Sequence, residues 1–550
     1  MHVVFRESHG LEETETPFDP GQDPADLIVL SFSDSDLGAF EAGYERMRRV
    51  GNLPTRPQDD MDRSPTLRLA NLVALKHPVS VDTYAERTLS GAKAILVRLI
   101  GGEAYWPYGL ATLQDLARRN GTALAILPAD GRPDERLDQL STLPVSTLRQ
   151  LQALCDEGGA VAAHAALAQL ALAAGIYVAP VAGDKTVPQM GFYDPDKGVI
   201  PAPGARQPHP LDTEGEGGPS VNSRVLVTFY RSYLTSGDTA PVDALIHALR
   251  AEGFTAYGAF APSLKSPGVS DWLNAHLAQN PPAAILNATA FSAKSDDGAT
   301  PFDAAPCPVF QVALSGARRR DWLSSERGLS PADLAMHVVL PEVDGRIFAG
   351  LISHKSPGKR HPDLQFSRFA HRADVERIAA VVDRVKAWVR LAETPVAERK
   401  LAVILSTYPG RAHQMAHAVG LDALASTEAL LETLAAESYT TRKSEPLSEA
   451  LTETLTWPVT DYLTALATLP EPLRQDLTEA WGDPVADPSV KEGQFHFPAT
   501  LRGQTLIALQ PERGEVSSRD TDYHDLSRTP RHTYVAFYLW LRSQSLHALI

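Results

Sequence analysis

AILVRLIGGEAYWPYGLATLQDLARRNGTALAILPA (residues 94–129) holds two apolar runs, 94–100 and 123–129, on either side of a helical pattern from Leu110 to Asn120. Short aliphatic runs bounded by glycine read as buried strands, and strand, helix and strand at this spacing describe a βαβ unit. Its two strands must then lie parallel, because the helix carries the chain back across the sheet. The turn GGEAYWPYG (101–109) lacks the Gly-x-Gly-x-x-Gly spacing that brings a backbone close to a pyrophosphate, and no Gly-x-x-x-x-Gly-Lys-Ser/Thr occurs. Neither of these nucleotide-binding routes is expected.

Outward from this unit, HVVF (2–5), LIVLSFS (27–33) and IYVAPVA (176–182) read as further strands, with a helix from Gly38 to Val50. Residues 1–200 are therefore expected to form an N-terminal α/β domain. PAPGARQPHPLDTEGEGGPSVNS (201–223) has almost nothing to bury and reads as a linker. The pattern restarts with RVLVTFYRS (224–232), a helix from Val242 to Glu252, FTAYGAFA (254–261), AAILNATAF (283–291) and PVFQVAL (308–314). This predicts a second, flavodoxin-like α/β domain over 224–395, ending in a charged helix from Asp374 to Glu393. Ligands of such sheets bind beyond the carboxyl ends of the strands, which here carry Tyr230, Arg231 and Ser232, then Asn287, Ala288 and Thr289.

A third region, 396–550, opens with KLAVILSTYPG (400–410), turns helical near STEALLETLAAESY (426–439) and stays mostly helical and acidic from 444 to 483. TLIALQ (505–510) returns to strand, TYVAFYLWLRS (533–543) to helix, and LHALI (546–550) has the apolar run of another strand. The expected fold class is α/β and multidomain: two doubly wound parallel-sheet domains followed by a mixed, more helical α/β region.

Composition narrows the function. The chain has 67 acidic against 51 basic residues and a formal charge of −16, with no Lys/Arg block interleaved with aromatics, so nucleic acid is not an expected partner. No apolar stretch approaches the roughly 20 residues that span a bilayer. The N-terminus, MHVVFRESHG, carries charge where a signal peptide needs an apolar run, so the expected location is the cytoplasm. Cys155 and Cys307, the only cysteines, are too few for a disulfide framework or a thiolate zinc site.

Candidate chemistry is concentrated late in the chain. His413 and His417 would share a face if the segment after Gly410 were helical. DYHDLSRTPRH (522–532) is a loop between a strand and a helix that carries histidines, carboxylates and arginines together, and LQPERG (509–514) is a strand ending in a turn with an arginine. RESHGLEETET (6–16) reads from its chemistry as a charged exposed loop.

Taken in order, FRESHGLEETE, PADLIVLSFSDSDLGAF (24–40), PTLRLANLVALKHPVSVDTYAERTLSGAKAILVRLIGG (65–102), LPEVDGRIFAGLISHK (340–355), YPGRAHQMAHAVGLDALAS (408–426), LIALQPERG, YHD and PRHTYVAFYLWLR resemble the large subunit of aerobic cobaltochelatase. That family is related to the porphyrin-binding H subunit of magnesium chelatase. The resemblance extends over essentially the whole chain and implies an N-terminal portion of the subunit. In the family, a strand beginning like LHALI continues into a His-x-Gly-x-His-Gly-x-x-Glu motif, so this portion alone is expected to be inactive. Ala416 and His417 replace a family Gly-Tyr, and Ala423 and Leu424 a Thr-Pro, which argues against the His413/His417 pair as a family metal site.

The implied reaction inserts cobalt, as substrate, into hydrogenobyrinic acid a,c-diamide during cobalamin synthesis, with ATP hydrolysed by AAA+ type partner subunits. The candidate substrate-binding residues are Tyr408, Arg411, Gln510, Arg513, His524 and His532. Arginines would pair with peripheral carboxylates and histidines would face the metal. The alternatives are a magnesium chelatase H-type porphyrin-binding protein and a non-catalytic tetrapyrrole-binding or scaffold module.

Overall fold

The computed structural model describes residues 17–51, 65–129, 133–178, 181, 186–201, 223–406, 417–418, 421–515, 525 and 527–550. The expected strand HVVF and most of the expected linker lie outside the described residues. Two compact units emerge, Met1–Val385 and Lys386–Ile550. The two sheets expected to form separate domains both belong to the first unit.

Its first sheet has four parallel strands in the order β2-β1-β3-β4: β1 (Leu27–Ser31), β2 (Leu67–Asn71), β3 (Ala94–Leu99) and β4 (Ala123–Pro128). Both faces are covered, which explains the continuous apolar runs. Val81 and Tyr84 of one helix and Leu110 and Leu113 of the next pack on one face. Leu37, Phe40 and Tyr44 of the helix Asp34–Gly51 pack on the other, with Ala166, Leu167 and Leu170.

Sequence reading passed over β2 because Arg68 interrupts LRLAN. That side chain is buried, and its guanidinium donates to the carbonyls of Asp23 (3.0 Å), Leu67 (2.9 Å) and Asp363 (2.7 Å), so a charge is accommodated inside a strand. IYVAPVA is not a strand at its described residues, 176–178 and 181. Part of it packs instead as irregular chain against the core, through Ile176, Val178 and Val181.

The second sheet has eight strands in the order β12-β11-β10-β9-β7-β8-β5-β6. These are β5 (Gly191–Asp194), β6 (Gly198–Pro201), β7 (Arg224–Tyr230), β8 (Thr255–Ala261), β9 (Ala284–Asn287), β10 (Val309–Ser315), β11 (Ile347–Pro357) and β12 (Phe369–Ala373). Strands β7 to β11 are parallel, in the order β8-β7-β9-β10-β11. This is the flavodoxin-like 2-1-3-4-5 order, and the first sheet repeats its 2-1-3-4 part. Antiparallel strands close both edges, so the sheet is not purely parallel. The hairpin 191–201, counted from sequence with the first domain, pairs with β8 and belongs to the second sheet.

In the second unit, β13 (Leu401–Leu405) lies between β19 (Thr505–Leu509) and β20 (Ala548–Leu549), parallel to both. β14 (His417–Ala418) and β15 (Leu421–Asp422) form a small hairpin, and β16 (Thr454–Pro458), β17 (Val490–Lys491) and β18 (Gln494–Arg502) extend the sheet antiparallel. The acidic stretch 444–483 thus holds a strand, β16, as well as helices. Phe495, Phe497, Phe537 and Trp540 form the core of one face, under the helix His532–Ser543. LHALI ends in a short strand, as read from its apolar run, and it is paired, with Ile550 N–H donating to the Ala402 carbonyl at 2.8 Å, although the side chains of Leu549 and Ile550 are exposed.

Candidate functional site

In the first sheet the chain leaves β1 towards β2 on one side and β3 lies on the other, so the crevice opens beyond the ends of β1 and β3. The residues after β1, Ser31 to Asp36, supply it with polar groups. Ser31 Oγ donates to Asp36 at 2.9 Å. Arg98, on β3 and only 4% exposed, donates to Asp156 at 3.1 Å and to the Pro128 carbonyl at 3.2 Å, and faces Asp36 at 3.4 Å. Asp34 accepts from Asn71 of β2 at 2.8 Å and pairs with Lys355 of β11 at 2.8 Å, both charged side chains being buried.

Burial works against the Arg98 charge, but Asp36 and Asp156 outweigh it and hold its pKa above the ordinary value. Burial pushes the neighbouring Cys155 thiol up to about 12, so near neutrality it is protonated and a poor nucleophile. A cavity of about 290 Å³ remains beside Ser33, Asp36, Arg98, Cys155 and Arg231. The charges around it are spent on one another, and the cluster fastens the first sheet's helix Asp34–Gly51 to β11. Nothing in the sequence links SFSDSD to LISHK; a run of Ser and Asp at the carboxyl end of an apolar strand was the available signal.

The second sheet has its crevice beyond β7 and β9. Of the residues expected there, Tyr230 donates to the Ala290 carbonyl at 2.9 Å and accepts from the Ala290 N–H at 3.0 Å. Burial pushes its phenol up to about 12, so it stays neutral. Asn287 accepts from Thr228 (2.7 Å) and Thr289 (2.9 Å) and donates to Gln311 (2.7 Å). Arg231 instead supports the backbone, donating to the carbonyls of Pro188, Glu157 and Val187. Sequence reading missed Gln311, Asp344 and Arg346. The polar residue inside PVFQVAL marked the first, and Asp-Gly-Arg before β11 marked the others.

The substrate-binding candidates belong to the second unit. Tyr408, Arg411, His413 and His524 lie outside the described residues. Gln510 and Arg513 follow β19, at the carboxyl end it shares with parallel β13, and the Gln510 amide donates to Tyr534 at 3.0 Å. Arg513 donates to the carbonyls of Asp525 (3.2 Å) and Arg528 (2.9 Å). His532 corrects the expectation of a metal-facing ring. It is 1% exposed; Nε2 meets the Gly482 carbonyl at 3.0 Å and Nδ1 meets the Tyr462 hydroxyl at 2.7 Å. A carbonyl can only accept, so Nε2 carries the proton and the Tyr462 hydroxyl donates to Nδ1, leaving no lone pair for a metal. His417 lies in β14 rather than in a helix, which removes the shared face proposed with His413. Among the described residues, no three His, Cys, Asp or Glu side chains are grouped to hold a metal ion.

A family model described as CobN/Magnesium Chelatase matches residues 156–550. The chain belongs to the CobN/magnesium chelatase family. The aerobic cobaltochelatase subunit CobN of Sinorhizobium sp. is 33% identical over 99% of this chain and 43% of its own length. The protein of the same name from Pseudomonas aeruginosa is 31% identical over 98% of this chain and 43% of its own. The H subunit of magnesium chelatase from Rhodobacter capsulatus is 26% identical over 64% of this chain and 31% of its own. The chain therefore spans less than half the length of the curated CobN relatives it matches. A solved structure, the catalytic subunit of cobaltochelatase from Mycobacterium tuberculosis, shares the fold with a TM-score of 0.61 and 23% identity, over 95% of this chain and 42% of that one.

Proposed function

We propose that this CobN-family chain takes part in inserting cobalt into hydrogenobyrinic acid a,c-diamide, in the cytoplasm, with ATP hydrolysed on AAA+ type partner subunits. The observation that carries the reading is the 33% identity to a cobaltochelatase subunit along 99% of the chain. Insertion must strip water from the ion, displace the N–H proton held by the corrin nitrogens and distort the macrocycle; donor side chains and general bases serve the first two. On this reading, Tyr408, Arg411, Gln510, Arg513 and His524 contribute to the tetrapyrrole pocket, and His532 holds the helix His532–Ser543 in register for it. Cobalt is favoured over magnesium because the match to the magnesium-chelatase H subunit is lower, at 26% over 64% of the chain.

The test is a titration of the purified chain with hydrogenobyrinic acid a,c-diamide, followed by absorbance, with protoporphyrin as the competing substrate. Saturable binding of the corrin in preference to protoporphyrin is expected. Preference for protoporphyrin would turn the reading towards magnesium chelation, and absence of binding to either would leave a scaffold role.

A further inference from the structure

A cavity of about 640 Å³ opens beyond the carboxyl ends of β7 and β9, and its lining includes none of the described residues assigned to the chelatase reading. Its volume falls within the roughly 300–1,000 Å³ of small-molecule sites, and its position is the switch point where doubly wound sheets bind ligands. Most of the lining is apolar, with Tyr230, Phe291 and Met336 as the large side chains and small ones such as Ala293 and Ala335 between them. Lys265 stands at the rim, exposed, and has no carboxylate partner among the described residues.

The wall is built rather than incidental. Phe291 is held at φ +66, a left-handed conformation that a bulky residue adopts only when its surroundings impose it. Its N–H donates to the Met336 carbonyl at 2.9 Å, within a π-helical turn, Ala335–Val339, of the kind that recurs at functional sites. Behind it, Asp344 accepts from Ser292 Oγ at 2.5 Å and from the Ala293 N–H at 2.7 Å, and pairs with Arg346 at 2.6 Å, both charged side chains being 1% exposed. Arg346 also donates to the Phe291 carbonyl at 3.3 Å and to Gln311 at 3.2 Å. The Asp344 carboxylate and the Arg346 Nη atoms are paired behind the wall, with Arg346 Nε buried and unpartnered, so the face left to the cavity is mostly apolar.

We propose that this cavity binds a small conjugated-ring carboxylate, the ring body lying among Tyr230, Phe291, Ala335 and Met336 and the carboxylate meeting Lys265. The site does not depend on the chelatase reading. It is tested on the full chain with 8-anilinonaphthalene-1-sulfonate, an apolar ring anion whose fluorescence rises in a dry site, and with 2-naphthoate as the competing carboxylate. Saturable enhancement displaced by 2-naphthoate is expected. Ala335→Trp fills the cavity from an exposed position and should abolish the signal, while Lys265→Met should weaken binding about 3- to 5-fold at low salt. Circular dichroism and the unfolding midpoint of both variants should match the parent, since both side chains are exposed. No saturable binding, or binding that survives Ala335→Trp, overturns the site; binding unaffected by Lys265→Met overturns the anionic ligand.

Discussion

At the first switch point the charges meet across elements, Arg98 with Asp36 and Asp156, Lys355 with Asp34, and about 290 Å³ is left between them. At the second, the charged pair Asp344–Arg346 lies behind the wall and about 640 Å³ stays open. The 2-1-3-4 part of the strand order is common to both, so topology decides where a crevice forms and the side chains decide whether it is closed or kept open. In the first, polar residues directly follow β1 and reach across the gap. In the second, β9 is followed by Ala288, Thr289, Ala290 and Phe291, and the polar groups turn inward onto Asn287 and Gln311.

The comparison breaks first at Arg346. Substituting Arg346→Met leaves Asp344 buried without its cation, and losing one partner of a buried pair costs about 3–5 kcal/mol. Urea unfolding of the full chain, followed by circular dichroism, should show that loss, together with loss of the anilinonaphthalene signal as the wall relaxes. A loss no larger than that of the next variant would mean that the pair does not hold the wall. Arg98→Met should cost less, about 1–3 kcal/mol, because Asp36 and Asp156 are 20% and 35% exposed and water takes over part of their solvation. If Arg98→Met proved the more damaging, the first crevice would be the one that depends on its charges.

Much of the frame was legible in the sequence because buried parallel strands are nearly uniform in hydrophobicity. LIVLS, AILVRL, ALAILP and RVLVTFY announce themselves, and the arginine inside AILVRL does not break the pattern. LRLAN escaped because its arginine occupies a larger share of a five-residue strand, and what tolerates it is three carbonyls supplied by the fold. The hairpin 191–201 could not be assigned to a sheet because its pairing with β8 joins residues about 65 to 70 apart in the chain. At the sites, residue type suggested chemistry but not its direction. His532, the last residue of DYHDLSRTPRH, looked like a ligand, while its ring is enclosed by Tyr462 and Gly482, both distant in sequence.

The smallest effect concerns protons at the end of β11. His354 is 2% exposed, its Nε2 faces Asp374 at 3.4 Å without the alignment of a hydrogen bond, and its ring packs 5.2 Å from that of Trp322. Burial lowers its pKa; Asp374 opposes the shift, while Arg319 and Arg377 add to it. His164, among the first sheet's helices, is lowered in the same direction, by burial and Arg46. A histidine held neutral in the folded chain contributes stability that is fully present above its unfolded pKa of about 6.5 and is lost as pH falls through the folded value. Stability should therefore be flat from about pH 8 to 7 and decline below about 6.5, before the carboxylates titrate. In His354→Gln, urea midpoints measured at pH 7.5 and 5.5 should lie closer together than in the parent. An unchanged gap would assign the acid sensitivity to the other histidines that burial holds low, His164, His337 and His547, and leave the charges at the end of β11 indifferent to pH.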